Sequence, residues 1–193
     1  RGGILDWPVE LLICDDKADG NEAAKCARKA AREGVVATLG NTSNYGNVIL
    51  PVLAQAGIAS IGHNPISAED FNSPVAFPLQ GGSPVAVAGA VGLLVDLGAR
   101  RIRLATVDSP AGGLSEGFAQ AGLTGTGAEL VGATLIPVGA PDYASYAAAL
   151  VADSDGIVIS TNADQAARIV VALHQAGVKQ PLALPAVALP PTT

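Results

Sequence analysis

Short apolar runs alternate with helical patterns along the whole chain, and this alternation most constrains the fold. Runs such as 35–39, 58–62 and 156–160 are short and mostly apolar, as strands buried on both faces are. Segments with helical spacing of apolar residues lie between them, and several end at a glycine. This order predicts right-handed βαβ units, and therefore an α/β fold with parallel sheets covered by helices on both faces.

The predicted elements form two successive series with the same rhythm. The first series has strands at 9–14, 35–39, 58–62 and 75–79, and helices at 21–33, 44–56 and 84–97. A loop is predicted over 63–74. The second series has strands at 101–107, 130–137 and 156–160, helices at 111–121, 143–152 and 163–176, and a last apolar run at 182–189.

The composition excludes several classes of protein. Hydrophobic residues make up 49% of the chain and charged residues 15%, which argues against disorder because a sizeable core is possible. The net charge of −6 argues against a nucleic-acid partner, since a phosphate-binding surface needs an excess of Lys and Arg. The most apolar stretch, 85–95, is interrupted by Gly89 and Gly92, so no membrane span is visible. No signal sequence is visible either.

The two cysteines are too few for a disulfide framework or a zinc site. A disulfide between Cys14 and Cys26 requires their Cα atoms to lie close together. Because Cys14 ends a predicted strand and Cys26 lies within a predicted helix, we expect two buried thiols, with the disulfide as the alternative.

Polar loops follow the carboxyl ends of the predicted strands, which is where open parallel sheets bind ligands. The segment from Asn41 to Asn44 precedes a helix whose free amides and dipole attract carboxylates or phosphates. Simple N-capping by Ser43 is the alternative. Tyr45 either stacks on a ligand or covers the edge of the sheet. The remaining loops of this kind are Asp15-Asp16, His63-Asn64, Asp108-Ser109 and Thr161-Asn162.

No arrangement of residues suited to catalysis stands out, which favours binding over an enzymatic role. Neither His63 nor His174 has a second ligand at metal-binding spacing, so no metal or cofactor is predicted. Adjacent side chains in an extended segment point in opposite directions, so Asp15 and Asp16 are not expected to share a proton. We expect them instead to cap the next helix and to accept hydrogen bonds from loop amides.

The order of motifs resembles the type I periplasmic binding proteins, and among them the branched-chain amino-acid (Leu/Ile/Val) receptors of ABC transporters. The resemblance covers essentially the whole chain and rests on an ordered set of weak motifs. They are Gly2-Gly3-Ile4, Cys14-Asp15-Asp16-Lys17, Arg32-Glu33-Gly34-Val35, Leu39-Gly40-Asn41-Thr42-Ser43, Leu50-Pro51-Val52-Leu53, Ala56-Gly57-Ile58, Ser73-Pro74-Val75-Ala76-Phe77 and Gly98-Ala99-Arg100-Arg101-Ile102.

The resemblance implies two Rossmann-like lobes that close like a hinge on a ligand held between them. It places the first lobe at 1–97, the second at 98–188, and a crossing back to the first lobe at 189–193. Family members are nearly twice as long, so we expect the chain to be incomplete at both ends, with the first strand and helix of the first lobe missing.

The resemblance also implies a function and a binding site. The expected role is not enzymatic: it is an extracytoplasmic solute-binding protein, periplasmic and in some cases lipid-anchored, that delivers a small amino acid or organic carboxylate to a membrane permease. In the family the ligand carboxylate is bound by a serine loop, which matches Ser43. The implied ligand-binding residues are Asn41, Thr42, Ser43, Tyr45, Gly62, His63, Asn64, Pro65, Ser109, Asn162 and Ala163.

Two departures from the family pattern bear on the ligand. Amino-acid binders of the family usually have a carboxylate for the α-ammonium after the last strand, where this chain has Pro185-Ala186-Val187. They commonly have a tyrosine after the first strand of the second lobe, where this chain has Ser109-Pro110-Ala111-Gly112. A buried ammonium without a counter-charge is costly, so an acid without an amine is a comparable candidate.

Two other functions stay open at this point. The lobes could form the sensor of a receptor or transcription regulator, which an attached membrane segment or DNA-binding domain would indicate. An enzyme on a doubly wound fold would need an acid–base pair, and Ser43 with His63 is the only candidate pair.

Overall fold

The computed structural model describes residue 3 and residues 6–185, and the chain divides into two compact units, 1–80 and 81–193. The first unit contains α1 (Gly20–Arg32), β1 (Ala37–Leu39), α2 (Gly46–Ala56), β2 (Ala59–Ile61), α3 (Ala68–Asn72) and β3 (Ala76–Phe77). The second contains α4 (Gly82–Asp96), β4 (Arg101–Val107), α5 (Pro110–Leu123), β5 (Glu129–Ile136), α6 (Ala144–Val151), β6 (Gly156–Ser160), α7 (Ala163–Gln175) and β7 (Leu182–Ala183).

The first unit is built on a three-stranded parallel sheet of order β1-β2-β3. Helix α1 begins after Asp19, whose carboxylate accepts hydrogen bonds from the amides of Asn21 and Glu22. Its alanine face packs with α2 around a small apolar core. The buried members of that core are Ala27, Ala30, Leu50, Leu53 and Ile58.

The second unit is built on a four-stranded parallel sheet of order β5-β4-β6-β7. Its central strands bury side chains on both faces, as their continuous apolar sequence predicts. One face packs against α4 and α5 through residues such as Leu94 and Ile102. The other packs against α6 and α7 through residues such as Leu150 and Ile159. The α/β class with parallel sheets is therefore confirmed.

The structure assigns helix α4 to the second unit, whereas the predicted lobe 1–97 includes it. The reason is packing: α4 lies against α5, β6 and β7 and buries Val87, Val91 and Leu94 there. The predicted crossing at 189–193 lies outside the described residues. The lobe boundaries of the whole protein stay predictions.

Two elements of the first unit differ from the sequence prediction. Residues 8–16, which include the predicted strand 9–14, form no strand, and Leu11 and Ile13 are 75% and 84% exposed. A strand needs a hydrogen-bonded neighbour, and none pairs with this segment in the described part of the chain. The predicted loop 63–74 contains the short helix α3, where the amide of Ser67 donates a hydrogen bond to Asp70.

The expectation of two buried thiols is wrong, because Cys14 and Cys26 form a disulfide with their Cα atoms 5.7 Å apart. Since residues 8–16 do not join a sheet, Cys14 lies beside helix α1 instead of inside a core. Cys14 is exposed and Cys26 is half-buried. The bond ties this extended segment to the helix that follows it.

Candidate functional site

Asn41 joins the loops that follow β1 and β2. Its side-chain amide donates hydrogen bonds to the hydroxyls of Thr38, at 2.9 Å, and Ser60, at 3.5 Å. The backbone carbonyl oxygen of Asn41 accepts a hydrogen bond from the backbone amide of Asn64 at 2.9 Å. The two predicted loops therefore meet at one edge of the sheet, as parallel strands require.

Ser43 lies just before helix α2 and makes two hydrogen bonds. Its hydroxyl donates to the carboxylate of Asp16 at 2.5 Å and accepts from the amide of Tyr45 at 3.2 Å. The helix itself begins at Gly46, with Tyr45 as the N-cap residue. The neighbouring Thr42 is exposed. This contact places Asp16 at the same edge, where its loop was predicted to lie, although Ser43 was not among its predicted partners.

The acidic loop before α1 is held by local hydrogen bonds. Asp15 accepts from the amide of Lys17 at 2.9 Å, and Asp16 accepts from the amide of Ala18 at 3.0 Å. The prediction that both carboxylates bind loop amides is confirmed. Their predicted capping of the next helix is wrong, because Asp19 lies closer to its first amides.

Tyr45 connects α2 to the same acidic loop. Its phenol hydroxyl donates a hydrogen bond to the carbonyl of Ala18 at 2.8 Å. Its ring lies beside Gly20, where a Cβ would come within 3.3 Å of the ring carbon Cδ1. These contacts fix the position of the half-buried ring at the start of α1.

The loop 62–65 is anchored by a buried histidine. The Nδ1 atom of His63 lies 3.2 Å from the hydroxyl of Ser60, and its Nε2 atom lies 3.2 Å from the carbonyl oxygen of Asp70. Pro65 is buried. The side chain of Asn64 accepts a hydrogen bond from Gln80 at 3.1 Å, and Gly62 takes a positive φ of 69°.

Asp70 is a buried acid that the sequence analysis missed. Its Oδ2 atom accepts hydrogen bonds from the amides of Ile66 and Ser67 and from the Ser67 hydroxyl, at 2.8–3.1 Å. Ser67 and Asp70 thus form a capping box at the start of α3. Their spacing of three residues, just before an aromatic residue, was the available sequence signal for it.

Ser43, His63 and Asp70 line one small cavity at this edge. Its free volume is about 10 Å³, roughly what a single water needs. The two ring nitrogens of His63 face Ser60 and Asp70, and no hydrogen bond joins His63 to Ser43 among the described residues. The pair Ser43 and His63 therefore does not form the acid–base couple that an enzyme would need.

In the second unit, the predicted site residues lie at the ends of the adjacent strands β4 and β6. Ser109 is the N-cap of α5 and accepts a hydrogen bond from the amide of Gly112 at 3.1 Å. Asn162 is the N-cap of α7 and accepts from the amide of Gln165 at 2.9 Å. Ala163 is the first residue of α7.

Gln165 is a buried residue at the carboxyl edge of the second unit's sheet, and the sequence analysis did not predict its role. Its side-chain amide donates to the backbone carbonyl of Pro137 at 2.9 Å, and its side-chain oxygen accepts from the side-chain nitrogen Nδ2 of Asn162 at 2.9 Å. It thereby ties the end of β5 to the start of α7. A glutamine in the first turn of a helix gives no sequence signal for such a role.

Two kinds of feature are not found in the residues that the structure describes. No group of three or more His, Cys, Asp or Glu side chains there is arranged to hold a metal ion. No helix there is long and apolar enough to cross a membrane.

Solved structures share this fold. An ABC transporter substrate-binding protein from Sphaerobacter thermophilus is 23% identical, with a TM-score of 0.75, over 93% of this chain and 52% of that protein. A leucine-binding protein from Thermotoga maritima is 20% identical, with a TM-score of 0.79, over 94% of this chain and 53% of its own.

A third similar structure is a solute-binding protein of an ABC transporter from Rhodopseudomonas palustris, in complex with 3,4-dihydroxybenzoic acid. It is 18% identical, with a TM-score of 0.74, over 91% of this chain and 50% of that protein. This chain thus spans about half the length of the solved structures that it matches. No curated protein matches it by sequence.

The family assignment rests on the sequence as well as on the fold. The family model described as periplasmic binding protein matches residues 1–192, nearly the whole chain. The structural neighbours are solute-binding proteins and not enzymes. The chain belongs to the periplasmic binding protein family of type I.

Proposed function

We propose that this chain is part of an extracytoplasmic solute-binding protein that delivers a small amino acid or organic carboxylate to the permease of an ABC transporter. The observation that carries the proposal is the family match over residues 1–192. The polar loops at the carboxyl edges of the two sheets supply the binding groups, as open α/β sheets generally do.

Two observations support the proposed ligand class: the ligands named for the similar structures, and the polar groups of the predicted site residues. One neighbour is a leucine-binding protein, and another is in complex with 3,4-dihydroxybenzoic acid. Both ligands are small, and each carries a carboxylate. The predicted residues Asn41, Ser43, Asn64, Ser109 and Asn162 offer hydroxyl and amide groups, which bind such molecules without requiring a metal or cofactor.

The disulfide supports a location outside the cytoplasm, in the periplasm or an equivalent oxidising compartment. Disulfides persist in such compartments and are rare where thiol reductants are abundant. The bond between Cys14 and Cys26 therefore fits a secreted receptor. A ligand that prefers the closed arrangement of two lobes would shift the protein towards it, and the permease would recognise that state.

The proposal is tested with the whole protein purified from the periplasmic or extracellular fraction of its source. Native mass spectrometry identifies any retained solute, and calorimetry measures the affinity for amino acids and organic acids. Ser43→Ala should weaken binding by at least tenfold, while Ser145→Ala, on the exposed face of α6, should leave it unchanged. A protein that retains no small solute and binds none, or that binds DNA or a kinase instead, contradicts the proposal.

A further inference from the structure

We propose that the second unit carries a binding groove for an uncharged aromatic molecule with a hydroxyl group, between the start of α6 and the exposed side of α7. The free volume of the groove is about 650 Å³. Small-molecule sites in general have volumes of roughly 300–1,000 Å³. In the described part of the chain, none of the predicted ligand-binding residues lines this groove, so the inference does not rest on the proposed function.

One wall of the groove is a stripe along α7. Residues three or four positions apart share one face of a helix, and the lining residues between Asp164 and Ala176 follow that spacing. Val171, in the middle of the stripe, is 54% exposed, and Ala167 and Ala172 lie beside it. Because the alanine side chains are small, this wall suits a flat ring, which would take the exposed part of Val171 out of water.

The hydroxyl of Tyr143 gives the groove an unsatisfied polar group. Tyr143 is only 8% exposed and lines the groove, yet its hydroxyl forms no hydrogen bond with any residue that the structure describes. No enclosed side-chain oxygen in that part of the chain lacks a partner, so the Tyr143 oxygen reaches open space, and the space that Tyr143 lines is this groove. Buried tyrosine hydroxyls usually have a hydrogen-bond partner, and a ligand in the groove would supply one.

The charges along the groove nearly cancel, which favours an uncharged ligand. Nε of Arg168 lies 3.0 Å from Oδ2 of Asp164, so these two charges compensate each other. Asp142 accepts a hydrogen bond from the amide of Ala144 at the start of α6. The dipole of that helix supplies the equivalent of about half a positive charge there. The negative charge that is left at Asp142 disfavours a carboxylate.

The polar group of the ligand has to match both Asp142 and Tyr143. A carboxylate only accepts hydrogen bonds, whereas a phenol hydroxyl donates one and also accepts. A hydroxyl group on the ligand can donate to the first and exchange a hydrogen bond with the second. Because Arg168 and Val171 are exposed, the bound molecule stays partly in water, and we expect a dissociation constant on the order of 1 mM.

Two uncharged probes of similar shape, phenol and fluorobenzene, test the inference on the whole protein by ligand-detected NMR titration. Phenol should bind at least about threefold more tightly, the size of one hydrogen bond. Tyr143→Phe should remove that preference by weakening the binding of phenol alone. Ala167→Leu, which fills the groove, should weaken both probes at least about tenfold, because it occupies the space of the ring.

Ala148→Leu is the matched control, since it makes the same change at an exposed position of α6 that does not line the groove. It should leave the affinity for both probes unchanged. The unfolding midpoint of every variant is measured first. If Ala167→Leu does not fold, the comparison of Tyr143→Phe with the original protein decides.

Four results would overturn the inference. The first is the absence of saturable phenol binding at about 10 mM. The second is equal affinity of the original protein for phenol and fluorobenzene, and the third is unchanged phenol binding in Tyr143→Phe. The fourth is equal affinity of Ala167→Leu and Ala148→Leu for phenol. None of these decides the proposed function, which concerns other residues and which the identification of a retained solute tests separately.

Discussion

The backbone of Gly46 packs directly against the carboxylate of Asp70, leaving no room for a Cβ between them. A Cβ there would lie 2.2 Å from Oδ1 and 2.6 Å from Cγ. This contact joins the first turn of α2 to helix α3. It also explains why a glycine, a poor helix former, occupies the first position of α2.

Replacing this glycine should separate the two helices. Gly46→Ala should lower the free energy of unfolding by about 1–3 kcal/mol, because the added methyl displaces a buried and hydrogen-bonded carboxylate. Chemical denaturation of the whole protein measures the change. Asn47→Ala, at the exposed next position, is the control and should change stability by less than about 0.5 kcal/mol. If Gly46→Ala and the control were equally stable, the close packing of Gly46 against Asp70 would be contradicted.

The two histidines should differ sharply in their contribution to stability. His63 is 3% exposed and contacts both Ser60 and Asp70, whereas His174 is exposed near the end of α7. His63→Ala should cost about 2–4 kcal/mol, since it leaves a cavity and removes hydrogen bonds of buried groups. His174→Ala should cost less than about 1 kcal/mol, the size of a dipole interaction at a helix end. Thermal unfolding compares the two variants, and similar losses would refute the distinction.

The second unit could be predicted almost element by element, because its signals are local. Strands β4 and β6 have the predicted bounds, and α7 differs by one residue at its end. Each is a continuous apolar run or a strongly periodic helix, and each finds its partners within the same unit.

The first unit departs from prediction where an element depends on a partner distant in sequence. Residues 9–14 have the apolar composition of a strand, but composition does not supply the neighbour that a strand requires. The wrong expectation of two buried thiols has the same cause, because Cys14 was assigned to that predicted strand. Helix α3 is too short to show an apolar periodicity, and it is stabilised by hydrogen bonds to Asp70, so it was not predicted.

The candidate site was predictable in its location but not in its hydrogen bonds. Topology alone brings Asn41, Ser43 and His63 to one edge, since carboxyl ends of parallel strands meet there. The partners of these residues are Asp16, Ser60 and Asp70, which lie up to 27 residues away. Such pairings depend on rotamers and packing, and no spacing rule specifies them.

Loss of the disulfide should destabilise the protein and loosen the acidic loop. The cysteines are 12 residues apart, and closing a loop of about this size contributes about 2–3 kcal/mol by constraining the unfolded chain. The double variant Cys14→Ser, Cys26→Ser should therefore unfold at lower denaturant concentration. Hydrogen exchange of the Ala18 amide, which donates to Asp16, should also become faster.

A thiol reductant provides the control for this prediction. It should lower the stability of the original protein to about that of the double variant and leave the double variant unchanged. Faster exchange at Ala18 without loss of stability, or the reverse, would show that the bond does not couple the loop to the fold.

Two adjacent glycines of α5 should respond in opposite directions to the same substitution. A Cβ on Gly112 would lie 1.8 Å from the carbonyl oxygen of Val107, at the end of β4, whereas a Cβ on Gly113 would meet nothing within 4 Å. Gly112→Ala should therefore cost more than about 2 kcal/mol, because a backbone atom cannot move aside as a side chain can. Gly113→Ala should stabilise the protein by about 0.5–1 kcal/mol, the helix preference of alanine over glycine. Parallel denaturation curves give both values, and a stabilising Gly112→Ala would mean that α5 does not lie against the end of β4 as described.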